Sequence, residues 1–346
     1  MYLLNVHLEF IPILKRPNIQ ILMKAFVTGG TGFIGSHLVD ALLADKNYSE
    51  VRCLVRTTEK WLKNKPYKKY KGDLHNIQVL KEAVKNVDVV FHLAGLVKSD
   101  SAEAFDHVNV KATENLLRVA QQENVSNMIV LSSLAAAGPS QGQPLTEESP
   151  MAPVSMYGRS KKKMEQMIHQ IADNRSSITI LRPPAVFGPR EDQIYSFFKM
   201  ANNHICPIVG DGVHPKISMV YVKDVIQACL KAVKHDRTGI NTYFIAGESI
   251  HTWDEIRRTT ELALGKKTIP IYIKPAYVKK IAGAIEQSAS FFGIYPVINR
   301  EKANELILEW TCSIEKAKNE LQFVPEYSLS EGIARTVHWY KKHHWL

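Results

Sequence analysis

The chain has 346 residues, 45% of them hydrophobic, and a formal net charge of +10, so it can bury a large core and is not of the disordered class. No apolar run reaches the roughly 20 residues of a membrane span, and Cys53, Cys206, Cys229 and Cys312 lie far apart with no CxxC spacing, which argues against a disulfide framework or a zinc site and for a reducing, cytoplasmic setting. The basic surplus is densest in KWLKNKPYKKYK, Lys60 to Lys71, but no nucleic-acid motif accompanies it; it reads as a basic surface that suits an anionic cofactor, and no nucleic-acid partner is expected.

The first 22 residues contain Glu9, Lys15 and Arg16 and show no small-residue cleavage site, so they do not read as a secretory signal. They are expected to form a tail outside the fold, ahead of a start at Met23; an interfacial anchor is the competing reading. From there strands and helices alternate. KAFVT (Lys24 to Thr28) reads as a buried strand and GSHLVDALLAD (Gly35 to Asp45) as a helix by its apolar spacing. Between them stands TGGTGFIG, with Gly29, Gly32 and Gly35 spaced GxxGxxG. A strand before and a helix after is the context in which such glycines permit a tight turn, admit a pyrophosphate and present free helix N–H groups to it. Gly29, Thr31, Gly32, Phe33, Ile34 and Gly35 are therefore predicted to hold a dinucleotide. VRCLV (Val51 to Val55) is a second strand, followed by Arg56 where an acidic residue would bind a ribose 2′-hydroxyl. A guanidinium pairs with a 2′-phosphate, so NADP(H) is expected over NAD(H); a merely solvated arginine is the alternative.

NIQVLKEAV follows as a helix, VDVVFHLAG (Val87 to Gly95) as a strand, Phe105 to Gln122 as a helix, and NMIVLSS (Asn127 to Ser133) as a fifth strand. A helix from Tyr157 and the strand ITILRP (Ile178 to Pro183) complete the regular part. This alternation predicts an α/β fold with a Rossmann-type, doubly wound parallel sheet whose ligands lie at the carboxyl ends of the strands. Residues 23–187 are assigned to the dinucleotide-binding domain, with 217–247 returning to it. Residues 188–216 and 248–346 form a smaller, discontinuous α/β substrate-binding domain. The stretch Ala276 to Ile294 has helical apolar spacing and reads as a core-facing helix or, alternatively, a lid over an apolar substrate.

Tyr-x-x-x-Lys occurs at Tyr157–Lys161, Tyr67–Lys71 and Tyr195–Lys199, and only the first opens the helix after the fifth strand. The spacing puts both side chains on one helix face. A phenol that titrates near pH 10 needs its anion stabilised to exchange a proton near neutrality, and an ammonium and an oxidised nicotinamide ring both do this. A serine hydroxyl orients the same substrate oxygen. Among the 13 histidines no metal-ligand spacing appears, and KKHH near the C-terminus reads as a solvated end, so no metal is expected.

With TGGTGFIGSHLVDALL, GDL (Gly72 to Leu74), VVFHLAG, VNVKATENLL, VLSSLAAAGP, YGRSK and LRPPAVFGPR, the chain resembles the extended short-chain dehydrogenase/reductase family (the NAD-dependent epimerase/dehydratase superfamily), nearest to its dihydroflavonol reductase and 3β-hydroxysteroid dehydrogenase branch. The resemblance implies Ser133, Tyr157 and Lys161 as the catalytic set. It implies Asp73 and Leu74 at the adenine, Leu93, Ala94 and Gly95 beside the adenosine, and Pro183 to Val186, with Pro184 and Val186 as contacts, beside the nicotinamide. Asn109 matches an asparagine read here as a structural helix-kink residue, and Ser132 reads as a structural neighbour. The family's dehydratases carry Thr-Asp-Glu where this chain has SLAAAG, so dehydration is not expected. Ketone reduction with NADP(H), on a mid-sized, partly apolar substrate near Phe197 and Phe198, is the leading expectation. A nucleotide-sugar epimerase, with Arg182, Arg190 and Lys199 on a diphosphate, is the alternative, and a non-catalytic redox-sensing protein a third. Relatives of this fold pair through two helices each, so a homodimer is expected.

Overall fold

The computed structural model describes residues 22–173, 175–235, 237–280, 282–283 and 300–346. The expected tail therefore lies outside the described residues apart from Leu22. Of the Ala276 to Ile294 stretch, residues 276–280 belong to a helical segment, and 284–294 fall outside.

Seven strands make one sheet: β1 (Met23–Thr28), β2 (Tyr48–Val55), β3 (Lys68–Lys71), β4 (Val89–His92), β5 (Asn127–Leu131), β6 (Ser177–Arg182) and, after an excursion described below, β10 (Gly239–Phe244). Their order is β3-β2-β1-β4-β5-β6-β10, and every neighbouring pair is parallel. The helices between them are α1 (Phe33–Ala44), α2 (Ile77–Val84), α3 (Ala102–Phe105), α4 (Ala112–Gln122), α5 (Leu134–Ala137) and α6 (Met156–Ile171). The expected helix from Phe105 to Gln122 contains a π-helical turn, Asp106–Lys111, between α3 and α4.

Alternation along each strand builds the two cores. In β1, Ala25 and Val27 join one apolar cluster with Leu38, Val39 and Leu42 of α1, whereas Phe26 joins the other with Leu80, Leu116 and Ile168. A parallel sheet needs such continuous apolar strands because both faces are covered. A fully buried side chain such as Phe26 contributes about 1.5–3 kcal/mol.

The excursion comprises β7 (Ala185–Phe187), α7 (Tyr195–Asn202), β8 (Ile205–Val209), β9 (Ile217–Tyr221) and α8 (Val222–Lys234). β9 pairs with β7 and with β11 (Ile250–His251), α8 packs beneath the large sheet against α1 and β5, and β10 then pairs with β6. Beyond lie α9 (Trp253–Leu264) and β12 (Ile269–Ile273), which pairs with β8. Thr252 and Glu255 form a reciprocal capping box at the start of α9, and Ser328 and Glu331 do the same for the C-terminal helix Leu329–Lys342. These two helices pack on each other and enclose Phe198, Ile256, Ile333 and Tyr340. The basic tract keeps most of its lysines exposed and is tied to the fold at a few points. Lys65 pairs with Asp40, Lys69 with Glu59 at 2.7 Å, and the Trp61 ring meets Trp339 edge-on at 5.6 Å. No described helix is long and apolar enough to cross a membrane.

Candidate active site

The sheet order reverses between β1 and β4, and the loops leaving these strands touch. Gly29 has φ +73°, a conformation that glycine adopts without steric penalty. A Cβ there would also lie 2.5 Å from the Ala94 nitrogen. Gly35 is closer still, since its Cβ would stand 2.1 Å from the Gly29 oxygen. Gly32 donates its N–H to the Gly29 carbonyl at 3.0 Å and begins α1, whose first turn has no side-chain cap and no acidic residue. Thr31 lies in the turn, and Phe33 and Ile34 are the first helical residues. This turn, too tight for any side chain and ending on an uncapped helix, fits a pyrophosphate.

On one side of the turn Leu93 donates its N–H to the Thr28 carbonyl at 3.1 Å, which draws Leu93, Ala94 and Gly95 beside it. Leu74 is buried and its carbonyl accepts from Asn115 at 3.2 Å, while the exposed Asp73 carboxylate accepts the His75 N–H at 2.9 Å. Arg56 is exposed directly past the end of β2. On the other side the Pro183 carbonyl accepts the Leu134 N–H at 2.8 Å, Pro184 follows, and Val186 pairs with Val220.

The helix α6 carries Tyr157 and Lys161 in its first two turns. Ser155 caps it, accepting the Gly158 N–H at 3.1 Å, and the Glu301 carboxylate receives the Met156 N–H. Ser133 stands at the N-cap of the short α5, where its hydroxyl accepts the Ala135 N–H at 3.1 Å. Burial pushes the Tyr157 phenol up to about 12, the polar Ser133 side chain opposes this, and the Glu305 carboxylate adds to it. The Lys161 ammonium donates to the Leu131 carbonyl at 2.8 Å and lies against Gly95, where a Cβ would be 3.3 Å from it. Burial lowers it to about 8, with Glu165 working the other way. The amine is thus held over the ends of β4 and β5, one turn along α6 from the phenol.

Further participants lie around this set, and for Glu165, Thr113 and His92 the sequence reading assigns no role. Glu165 lies one turn beyond Lys161, and its carboxylate takes the Ser132 hydroxyl and the Arg182 guanidinium, the latter at 2.5–3.1 Å. Its spacing of four from Lys161 repeats that of Tyr157 and is the one clue available. Asn109 lies in the π-helical turn, where its amide accepts from the Leu96 N–H at 2.7 Å and donates to Ser160 at 2.9 Å. Its carbonyl accepts Thr113, which bonds the buried His92 at 2.7 Å, and His92 reaches Thr28 at 2.7 Å. Burial and then Lys161 press the His92 ring down to about 3, so it is neutral. A continuous polar chain therefore ties β1, β4, the π-helical turn and α6 together behind the cleft.

The basic residues considered for a diphosphate are mostly engaged. Arg182 is buried on Glu165, Arg190 pairs with Asp40 at 2.8 Å and bonds Ser36, and Lys199 is exposed on α7. Phe198 is buried with Tyr340 and Phe197 packs on Trp253, so this aromatic pair serves the core of its own lobe. Of the other two Tyr-x-x-x-Lys occurrences, Tyr195 donates to the Trp345 carbonyl and Tyr67 packs on the sheet core. Among the described residues no acidic, histidine or cysteine cluster is arranged to hold a metal.

The sequence profile of the NAD dependent epimerase/dehydratase family matches residues 25–246. The chain belongs to that family. It is similar to a ceramide reductase of Caulobacter vibrioides, 28% identical with 92% of this chain and 95% of the other covered. It is also similar to a putative dihydroflavonol 4-reductase of Synechocystis, 27% identical over 92% of this chain and 94% of the other. Among solved structures, the UDP-glucuronic acid 4-epimerase of Bacillus cereus in complex with NAD superposes with a TM-score of 0.75 at 24% identity, covering 93% of this chain and 100% of that one. As a member of the epimerase/dehydratase family, the protein is an NAD(P)-dependent enzyme of the extended short-chain dehydrogenase/reductase type, built on the parallel Rossmann-type sheet that its strand pattern predicts.

Proposed function

We propose that the protein reduces a ketone on a mid-sized, partly apolar substrate to a secondary alcohol, or runs the reverse, with NADP(H) as cofactor. The observation that carries this is the Lys161 ammonium fixed on the Leu131 carbonyl, one turn beyond the buried Tyr157 on α6, which packs on the short α5 that Ser133 caps, at the end of the sheet where the glycine turn opens. A nicotinamide cofactor, its pyrophosphate held by that turn, would supply the hydride. Ser133 orients the substrate oxygen, and Tyr157, held protonated by its burial, delivers the proton to it. Lys161 is cationic at neutral pH with a value of about 8 and grips the cofactor ribose. Asp73, Leu74 and Leu93 to Gly95 flank the adenosine, and Pro184 and Val186 the nicotinamide.

Two features support reduction over the other chemistries of the family. SLAAAG offers no acid pair for removing water, and of the three basic residues considered for a sugar diphosphate Arg182 and Arg190 spend their charge on Glu165 and Asp40, which leaves the exposed Lys199. Arg56, exposed past β2, supports NADP(H). The same reading assigns residues 23–187 with 217–247 to cofactor binding and 188–216 with 248–346 to substrate, in a cytoplasmic homodimer. Stopped-flow absorbance with NADPH and a ketone panel tests the reaction. Turnover of ketones with net NADPH oxidation is expected; turnover of a nucleotide sugar with no net change in cofactor would overturn it. Arg56→Ala is expected to lower kcat/KM for NADPH at least about tenfold, the loss of one charge-assisted pair, and to leave NADH unaffected.

A further inference from the structure

The small parallel sheet formed by β8 and β12 departs from the rule that parallel sheets have both faces covered. Its strands are parallel and in register, Ile205 beside Ile269, Pro207 beside Ile271, and Val209 beside Ile273. The alternate residues Cys206 and Ile208 are fully buried, so the first set forms the outer face. That outer face is apolar too. Ile205, Ile269 and Ile271 are 46%, 68% and 47% exposed, while at the far end Val209 and Ile273 pack on Val278, Ala303 and Ile307. The strip thus runs from open surface to the helix Arg300–Leu306, whose Glu301 holds the Met156 N–H next to Tyr157.

Lysines frame the strip. Lys267 precedes β12, Lys274 follows it, and Lys279 and Lys280 are exposed in the helical segment after it, next to the buried Val278. None of the four meets an acidic partner among the described residues. The nearest acids of α9, Asp254 and Glu261, are already paired with Arg257. An aliphatic ladder bordered by cations matches one kind of surface, a bilayer with anionic headgroups, where the isoleucines enter the acyl boundary and the lysines meet phosphate. We propose that the outer face of β8 and β12 docks the protein on an anionic lipid membrane, with the mouth of the active site turned toward the bilayer. Docking stands independently of the reductase reading; only the delivery of an apolar ketone from the bilayer along the strip rests on it.

The test is cosedimentation of the full chain with vesicles of phosphatidylcholine alone or mixed with phosphatidylglycerol, which needs no turnover. Binding to the anionic vesicles is expected, with little to neutral ones, and a loss at about 0.5 M salt, where screening extends only a few ångströms. Ile269→Glu with Ile271→Glu should abolish it. Lys279→Ala and Lys280→Ala should each weaken it about fivefold, with thermal melts showing that the variants remain folded. No sedimentation of the wild type, or equal binding by wild type and the isoleucine variant, overturns the proposal. So does a salt-resistant dimer in light scattering that Ile269→Glu dissolves, since a second copy would then own this face.

Discussion

Lys161 gives up hydration at the floor of the cleft and is left with a carbonyl at 2.8 Å and the Met164 sulfur at 3.9 Å. That exchange brings its titration down to about 8, within reach of ordinary assays. In the reductive direction kcat/KM is expected to fall as pH rises through about 8, when the ammonium is neutralised. Glu165 holds the amine up, so Glu165→Gln should move that limb to lower pH; a pH–rate profile of both proteins reads it. Tyr157→Phe removes the proton donor and should cut kcat by about 10²–10⁴-fold, with NADPH affinity by fluorescence titration unchanged. His92 behaves differently because it is fully buried and neutral, at about 3 against 6.5 in the unfolded chain. Between these values the unfolded state binds the extra proton, so stability rises with pH across the window and is lost as pH falls through it. Urea midpoints measured from about pH 4 to 7 should show a shallower acid slope in His92→Gln than in wild type.

At the level of elements, α6 is the part on which the site hangs. Tyr157, Lys161 and Glu165 follow one another at spacings of four along it, and the last is anchored to β6 by Arg182. Both members of that pair are about 95% buried or more, so breaking it leaves an unpaired charge in the interior. Glu165→Leu is expected to cost about 3–5 kcal/mol, whereas the double change with Arg182→Met should recover most of it; thermal melts of the three variants decide. The glycine turn is as demanding. Gly29→Ala combines a positive φ with a 2.5 Å clash and should abolish NADPH binding in calorimetry even where the fold survives.

Over the whole molecule, what could be read from the sequence follows what is local. Continuous apolar strands separated by amphipathic helices announce a parallel sheet, and the glycine spacing and Tyr157–Lys161 become legible from their place in that alternation, the first between a strand and a helix, the second opening the helix after the fifth strand. The pairing of Glu165 with Arg182, the chain from Thr28 through His92 and Thr113 to Asn109, and the capture of Arg190 by Asp40 join residues remote in sequence, and no periodicity records such meetings. Phe197 and Phe198 show the same gap from another side: apolar residues near a site look alike whether they line a pocket or fill a core. The lysine-rich tract stays largely a basic surface, and its ties from Lys65 to Asp40 and from Lys69 to Glu59 are again invisible to local spacing.

β10, the strand that closes the large sheet, is made after β7, β8 and β9. During synthesis on a ribosome, the hydrogen-bonding edge of β6 therefore stays open until Phe244 has emerged, and three foreign strands pass it first. An open parallel edge of fully buried residues is a template for wrong pairing. Nascent chains arrested after β6 has emerged but before β10 has should accordingly recruit chaperones or aggregate, and chains arrested well past Phe244 should not, so that the point of commitment in biogenesis falls at the seventh strand.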